Sequence, residues 1–248
     1  MYNSLKKILK RIVPKRFLFK NELVFRRFYG LFYRGKKFQC NVCSNNLSAF
    51  VNYNGRDLIC PFCGSLSRNR RLWHLLEANK AIKGNVLHFS PSRNIYRKLK
   101  SNPSIHYYSS DFENQFIADY NFDITNISCK NHMFDTIICY HILEHIIDDE
   151  KAMSEIYRVL KPNGKAFIQT PFKEGAIYED YSITTEEARK GHFGQEDHVR
   201  VYSVNGLVKR LEDVGFKVDI LTFENSSESI RNGFKPETVL VVSKFANL

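Results

Sequence analysis

The chain has 248 residues, 43% of them hydrophobic and 14% aromatic, which is enough for one large domain plus a small module and too apolar for a disordered chain. Its formal charge of +11 is local: residues 1–39 hold twelve Lys/Arg against one acid, Glu22, whereas the other 209 residues balance 25 bases with 25 acids. No uninterrupted apolar run approaches the ~20 residues that cross a bilayer, and no apolar stretch with a small-residue cleavage site marks a signal peptide, so the expected setting is the reducing cytoplasm.

Residues 1–36 read as a basic, amphipathic helical arm. Ser4 suits a helix cap and Pro14 a stop. Between them Leu5, Ile8, Leu9 and Ile12 share one helical face, with Lys6, Lys7, Lys10 and Arg11 on the other. A second segment starts near Asn21, where Phe25, Phe28, Tyr29 and Phe32 share a face beside Arg26, Arg27 and Arg34. Basic charge beside Leu, Ile and Phe suits peripheral attachment to an anionic membrane, here the inner face of the cell membrane. Nucleic-acid phosphates are the rival partner, and packing on the body needs no partner at all.

Residues 37–67 hold Cys40-x2-Cys43 and, sixteen residues on, Cys60-x2-Cys63. Two residues between thiolates let one tight turn offer both sulfurs to one ion, and two such knuckles complete a closed tetrahedral site suited to structural Zn²⁺. Between them Ala49–Tyr53 alternates like a strand and Asn54-Gly55 marks a hairpin turn, so a small zinc ribbon is expected. Residues 68–83 read as a connecting helix through Leu72, Leu75 and Leu76, with Arg68, Arg70 and Arg71 expected in solvent or against an anionic substrate.

From residue 84 to 248, strand and helix patterns alternate: strands at Asn85–Ser90, His106–Asp111, Phe134–Leu143, Lys165–Pro171, Val218–Phe223 and Thr238–Phe245, helices at Ser92–Lys100, Asp148–Leu160 and Val204–Val214. Alternation of this kind predicts an α/β fold, a Rossmann-like, doubly wound and mostly parallel sheet with ligands beyond the carboxyl ends of its strands. Cys129 and Cys139 lack ligand spacing and read as small buried hydrophobes; Asp148, Asp149 and Glu150 suit a helix N-terminus.

The block His88-Phe89-Ser90-Pro91, then Asp111, then FDTIICYHILEH over 134–145, then RVLKPNGK over 158–165, resembles class I SAM-dependent methyltransferases, as does Phe193–Tyr202 followed by a helix and Gly215-Phe216. More narrowly the chain is similar to a bacterial branch of methyltransferase type 11-like proteins that carries a zinc ribbon in front. The resemblance implies S-adenosylmethionine as cofactor. It implies Asp111 on the ribose hydroxyls, Asp123 on the adenine amino group with Ile124 against the ring, and Tyr140 and His141 facing the cofactor cleft. The family's first loop is an acid followed by Gly-x-Gly; here the loop has no glycine, and His88, Ser90 and Ser92 stand in its place.

A loop over 172–202 is the expected acceptor lid, and the general-base candidates are His198 first and His141 second. His141 and His145 also have an i, i+4 spacing that could serve a metal, without a third ligand evident in the sequence. The functional expectation is O-methylation of a small-molecule, sugar, glycan or lipid-linked acceptor in polysaccharide synthesis at the membrane surface. Its rivals are an RNA methyltransferase gripping phosphates with ribbon and arm, and a scaffold with the fold but no turnover. Neutrality outside the arm disfavours nucleic acid, and nothing sets an oligomeric state.

Overall fold

The computed structural model describes residues 21–55, 57–113 and 117–244, so the expected helix between Ser4 and Pro14 lies outside the described residues. The chain forms two compact units: residues up to Asn79 together with Glu224–Pro236, and Lys80–Phe223 together with the chain from Glu237.

The first unit starts with helix α1 (Glu22–Leu31), followed by strands β1 (Arg34–Gln39), β2 (Asn46–Leu47), β3 (Val51–Tyr53) and β4 (Asp57–Ile59) and helix α2 (Ser67–Ala78). β1 pairs antiparallel with β2, and β3 with β4. The β3–β4 turn is the expected one: Asn54 and Gly55 take φ of 55° and 70°, and the Gly55 amide donates to Asn52 Oδ1 at 2.8 Å. In α2, Leu72, Trp73, Leu75 and Leu76 are buried.

Two of the three arginines expected in solvent are buried: Arg70 is 0% and Arg71 3% exposed, and only Arg68 remains outside. The guanidinium of Arg70 collects four backbone carbonyls. It donates to Ser65 O at 2.6 Å, Leu58 O at 3.1 Å, Asn232 O at 2.8 Å and Gly233 O at 2.6 Å, and lies 4.1 Å over the Phe50 ring. Arg71 donates to Ser229 Oγ at 3.3 Å and covers Phe234 at 4.2 Å. The short helix Ser227–Asn232, which the strand–helix alternation assigns to the large domain, thereby closes the first unit.

The second unit comprises β5 (Gly84–Phe89), α3 (Arg93–Lys100), β6 (Ile105–Ser110), β7 (Phe134–Tyr140), α4 (Asp149–Val159), β8 (Leu160–Gln169), β9 (Tyr178–Glu179), α5 (Glu186–Phe193), β10 (Arg200–Val201), α6 (Val204–Val214), β11 (Phe216–Phe223) and β12 (Glu237–Lys244). Six of these strands form one sheet in the order β11-β12-β8-β7-β5-β6. β6, β5, β7 and β8 run parallel, and β12 is antiparallel to both its neighbours. Period-two alternation splits the buried residues between the faces. Leu87, Ile137, Cys139, Ala166, Ile168, Leu240 and Val242 pack with Met153 and Ile156 of α4 and Leu207 and Leu211 of α6. Their alternates Val86, Ile138, Phe167, Val239 and Val241 are buried too, so both faces are covered.

Two of the boundaries that differ from the sequence pattern have a visible backbone cause. β7 stops at Tyr140 and not Leu143, because His141 takes a left-handed φ of 56° and Leu143–His145 then winds into a 3-10 turn. The Lys161–Gly164 turn lies inside β8, which starts at Leu160 and absorbs the extra residues as a bulge opposite Phe134 and Thr136.

Candidate active site

Strand β5 pairs with β6 on one side and β7 on the other, so the chain reverses its winding direction around β5. The crevice at the carboxyl ends of β5 and β7 is the switch point of the sheet, where ligands of such folds sit. Both strands end there on a non-glycine residue with left-handed backbone: Ser90 at φ 44° after β5, and His141 at φ 56° after β7. Such conformations cost about 1–3 kcal/mol each and persist where surrounding bonds over-determine them.

Those bonds are present. The Ser90 amide donates to Ser110 O at 2.7 Å and its hydroxyl to Asp111 Oδ1 at 2.8 Å; the His141 amide donates to Gln169 O at 2.7 Å. The glycine-less loop therefore reaches a conformation that favours glycine by using a serine whose side chain is tied to the next strand's acid. Asp111 is only 4% exposed and accepts the hydrogen bond of that hydroxyl. Beside His141, β8 ends on Gln169 and Thr170, whose buried side-chain oxygens have no protein hydrogen-bond partner.

The other expected cofactor residues are dispersed. Ser92 caps α3, with Oγ 3.2 Å from Asn94 Oδ1. His88 points away from the rim into the packing of the sheet, 3% exposed, with Nδ1 3.1 Å from the Tyr107 hydroxyl; burial lowers its pKa to about 3 and keeps it neutral. Asp123 holds its own turn, accepting at Oδ1 from Thr125 N at 2.8 Å and Thr125 Oγ1 at 2.7 Å. Ile124 joins the hydrophobic core, and Tyr140 is half-buried at the end of β7.

Around the 3-10 turn the structure gathers residues that sequence spacing left apart. Glu144 is 1% exposed, and its Oε1 lies 3.3 Å from His141 Nδ1. Burial pushes this carboxyl up, but His141, the Glu144 amide and His145 together outweigh it and hold Glu144 below its ordinary pKa. His198 arrives from the 172–202 segment, 4% exposed, its ring edge-on to His145 at 4.7 Å. Its Nδ1 donates to Phe193 O at 3.2 Å, which leaves Nε2 as an acceptor without a partner. Burial, then the neighbouring His145, lowers the pKa of His198.

The 172–202 segment is held down by Arg200, 0% exposed, which donates to Leu143 O at 3.2 Å, to Ile146 O, to Ile147 O at 2.8 Å and to Glu179 Oε2 at 2.8 Å. It thus closes the carbonyl end of the turn that carries Glu144 and His145. Asp149 has more work than a helix terminus requires: it is 4% exposed, accepts from Arg210 at 2.6 Å and from the Tyr202 hydroxyl, and lies 3.6 Å from Arg200. Asp148 is the actual cap of α4, accepting from Lys151 N at 3.0 Å. Neither Arg200 nor Asp149 is legible as a positioning residue from spacing, since the turn carbonyls that Arg200 binds and the side chains that Asp149 holds lie more than fifty positions away.

In the first unit the sulfurs of Cys40, Cys43, Cys60 and Cys63 all lie within 4.8 Å of one another. Cys40 and Cys63 are 3.7 Å apart, and Cys43 and Cys60 3.8 Å. Four sulfurs at tetrahedral corners with metal–sulfur bonds of about 2.3 Å stand about 3.8 Å apart, so the group has the dimensions of a closed four-thiolate centre. A disulfide needs sulfurs at about 2.05 Å, and none of these pairs is one.

The sequence matches the methyltransferase-domain family over residues 59–220. The chain belongs to that family. Phosphoethanolamine N-methyltransferase 2 of Haemonchus contortus, solved with S-adenosyl-L-methionine, is similar over 71% of this chain and 52% of its own, with 15% identity and a TM-score of 0.50. A SAM-dependent methyltransferase of Archaeoglobus fulgidus is similar over 73% of this chain and 95% of its own, at 18% identity and a TM-score of 0.52. The cyclase SpnF matches over 80% of this chain and 88% of its own, at 14% identity and a TM-score of 0.52. The chain spans about half the length of the Haemonchus contortus enzymes. No curated protein matches it. At such identities the likeness is one of fold, and a cyclase among the matches shows that the fold alone does not fix the chemistry.

Proposed function

We propose that this methyltransferase transfers the methyl group of S-adenosylmethionine to a hydroxyl of a sugar, glycan or lipid-linked acceptor at an anionic membrane surface. The observation that carries the cofactor half of this reading is the pair of left-handed residues, Ser90 and His141, flanking the switch point beside buried Asp111. The sulfonium cofactor brings its methyl group already activated. In the chain, Asp111 accepts from the ribose hydroxyls, with Ser90 and Ser92 shaping the loop beneath. Asp123 and Ile124 serve the adenine end, and Tyr140 and His141 line the cleft. His198 accepts the acceptor's proton at Nε2, the nitrogen left bare by the Nδ1 bond to Phe193 O; His141 is the second candidate.

The four cysteines hold a structural Zn²⁺, and no protein-free position remains in that set for catalysis. For the membrane half, α1 exposes Val24 (50%), Phe28 (65%), Leu31 (47%) and Phe32 (86%) next to exposed Arg27, Arg34, Lys36 and Lys37. Among the described residues no helix is long and apolar enough to cross a membrane, so this patch supports surface attachment. The test is incubation of the full chain, and of the chain without residues 1–36, with methyl-labelled cofactor and membrane extract. Label is expected in a glycolipid or polysaccharide fraction, and to fall at least several-fold without the arm. Label in RNA, or label independent of the arm, overturns the reading.

A further inference from the structure

The turn after β7 raises a problem of its own. Glu144 is a buried carboxylate whose oxygens have, beyond the His141 contact at 3.3 Å, no hydrogen-bond partner among the described residues, and His198 presents a buried Nε2, likewise without a partner there, to the same place. Unsatisfied polar atoms at this depth cost about 1–3 kcal/mol each, more when charged, unless something else satisfies them.

We propose that Glu144, His145 and His198 form a second metal site, for a first-row divalent cation, distinct from the four-sulfur centre. One ligand atom from each of the three lies within 4.8 Å of the others. Ligands about 2.1 Å from a shared ion stand about 3.4 Å apart, so closure needs a shift of roughly an ångström, within reach of side-chain rotation.

The outer contacts are those a metal-bound histidine needs. Such a residue donates its second ring N–H to a carboxylate or a backbone carbonyl, which fixes the ring and its tautomer. Both arrangements occur here: His198 Nδ1 is 3.2 Å from Phe193 O, and His145 Nδ1 is 3.2 Å from Asp197 Oδ2. Each pairing leaves Nε2 for an ion. Glu144 Oε1 also lies 3.3 Å from His141 Nδ1. Arg200 fixes the turn by binding the carbonyls of Leu143, Ile146 and Ile147, so two ligands come from a clamped turn and the third from the segment that Arg200 itself terminates.

Two imidazoles and one carboxylate are a borderline-soft set with fewer than four protein ligands. That set suits Zn²⁺, Mn²⁺, Co²⁺ or Fe²⁺ with a coordination position left for an outside oxygen. His145 is the partly exposed member, its side chain 29% accessible, so the open side faces solvent there. The site does not depend on the acceptor proposed above; only its use does. At one nitrogen the two duties of His198 exclude each other. With an ion bound, Nε2 would be one of its ligands, and lowering the pKa of the acceptor hydroxyl would be the chemistry the ion supplies in place of His198.

The test counts metal in the full chain. Protein saturated with Zn²⁺, or with Co²⁺, and then freed of excess is expected to retain two equivalents. Glu144→Gln and His198→Ala are each expected to retain one, the equivalent in the four-sulfur centre, whose presence also shows that the variant has folded. With Co²⁺ the first equivalent gives the near-ultraviolet thiolate charge-transfer band. The second adds visible bands without that charge transfer, and these vanish in Glu144→Gln. A single equivalent in the unaltered chain overturns the proposal, as does a second equivalent that survives both substitutions. A single equivalent with turnover abolished in His198→Ala removes the metal and leaves the proton-acceptor role standing. Two equivalents with no hydroxyl methylated leave the metal site standing and remove the acceptor reading.

Discussion

The two units of this chain are specified by different physics. The first has two-stranded ladders only two to three pairs long and a short helix closing on itself. What fixes it is a few strong, directional groups: four sulfurs at metal-site spacing and one buried guanidinium holding four backbone carbonyls. The second unit is fixed by area, with a six-stranded sheet whose two faces are both buried. The difference decides where each unit is fragile and where it tolerates strain. A unit built on few bonds fails when one is removed. A unit built on a large apolar core can hold Ser90 and His141 in left-handed conformations, because no single contact carries it.

The largest expected effect breaks that comparison at the sulfurs. Structural zinc contributes on the order of 10–16 kcal/mol of apparent binding free energy to small zinc modules, which greatly exceeds what these short ladders supply. Chelation, or Cys60→Ser, is therefore expected to strip hydrogen-exchange protection from amides in residues 37–67 while those of β5, β7 and β8 stay protected. Loss of both sets in one transition would show that the two units share one stability.

Next in size is Arg70→Leu. It fills much of the volume but leaves the carbonyls of Leu58, Asn232 and Gly233 without the Arg70 donor, whereas Ser65 O keeps the Cys60 amide at 2.9 Å. At about 1–3 kcal/mol per orphaned buried group, the loss is expected to reach several kcal/mol and to appear first as fast exchange over residues 227–233. Arg70→Lys is expected to rescue little, because one ammonium cannot bridge acceptors arranged around a planar fork. Protection over 227–233 that survives Arg70→Leu would mean that the ring contacts of Phe50 and Phe234 hold the segment.

These same groups mark what sequence reading reaches. The cysteine knuckles, the Asn54-Gly55 turn and the period-two strands are local patterns, and the structure contains each of them. Residues 224–236 look like any link between strands β11 and β12, because their attachment runs through backbone carbonyls, which have no sequence identity. Arg70 and Arg71 look like solvent-facing charges because the partners that tie them to the 227–233 segment, Asn232 O, Gly233 O and Ser229 Oγ, are 158 to 163 positions away. In the site, Asp111 is visible because it ends a strand. Glu144 is hidden in a motif block, and its neighbour His198 comes from beyond α5. The early end of β7 depends on one backbone angle at His141, which hydrophobic periodicity does not encode.

The smallest expected effect sharpens the comparison at Ser90. Two terms act there: a left-handed backbone at φ 44°, which favours glycine, and a 2.8 Å hydrogen bond from the hydroxyl to Asp111. Ser90→Ala keeps the strain and loses the bond; Ser90→Gly loses both. Losing a bond to a charged acceptor costs about 1.5–3 kcal/mol, and relief of the left-handed penalty returns about 1 kcal/mol. Ser90→Gly is thus expected to be more stable than Ser90→Ala by about 1 kcal/mol in denaturant unfolding, with both below the parent. The order reverses if the extra freedom of glycine in the unfolded chain outweighs the strain. Calorimetry with S-adenosylmethionine then separates the two terms. If the hydroxyl serves to aim Asp111 at the cofactor, both variants lose affinity together. If the bent backbone itself shapes the loop, Ser90→Gly keeps the affinity that Ser90→Ala also keeps, because alanine, like serine, is held in the bend by the Ser110 carbonyl.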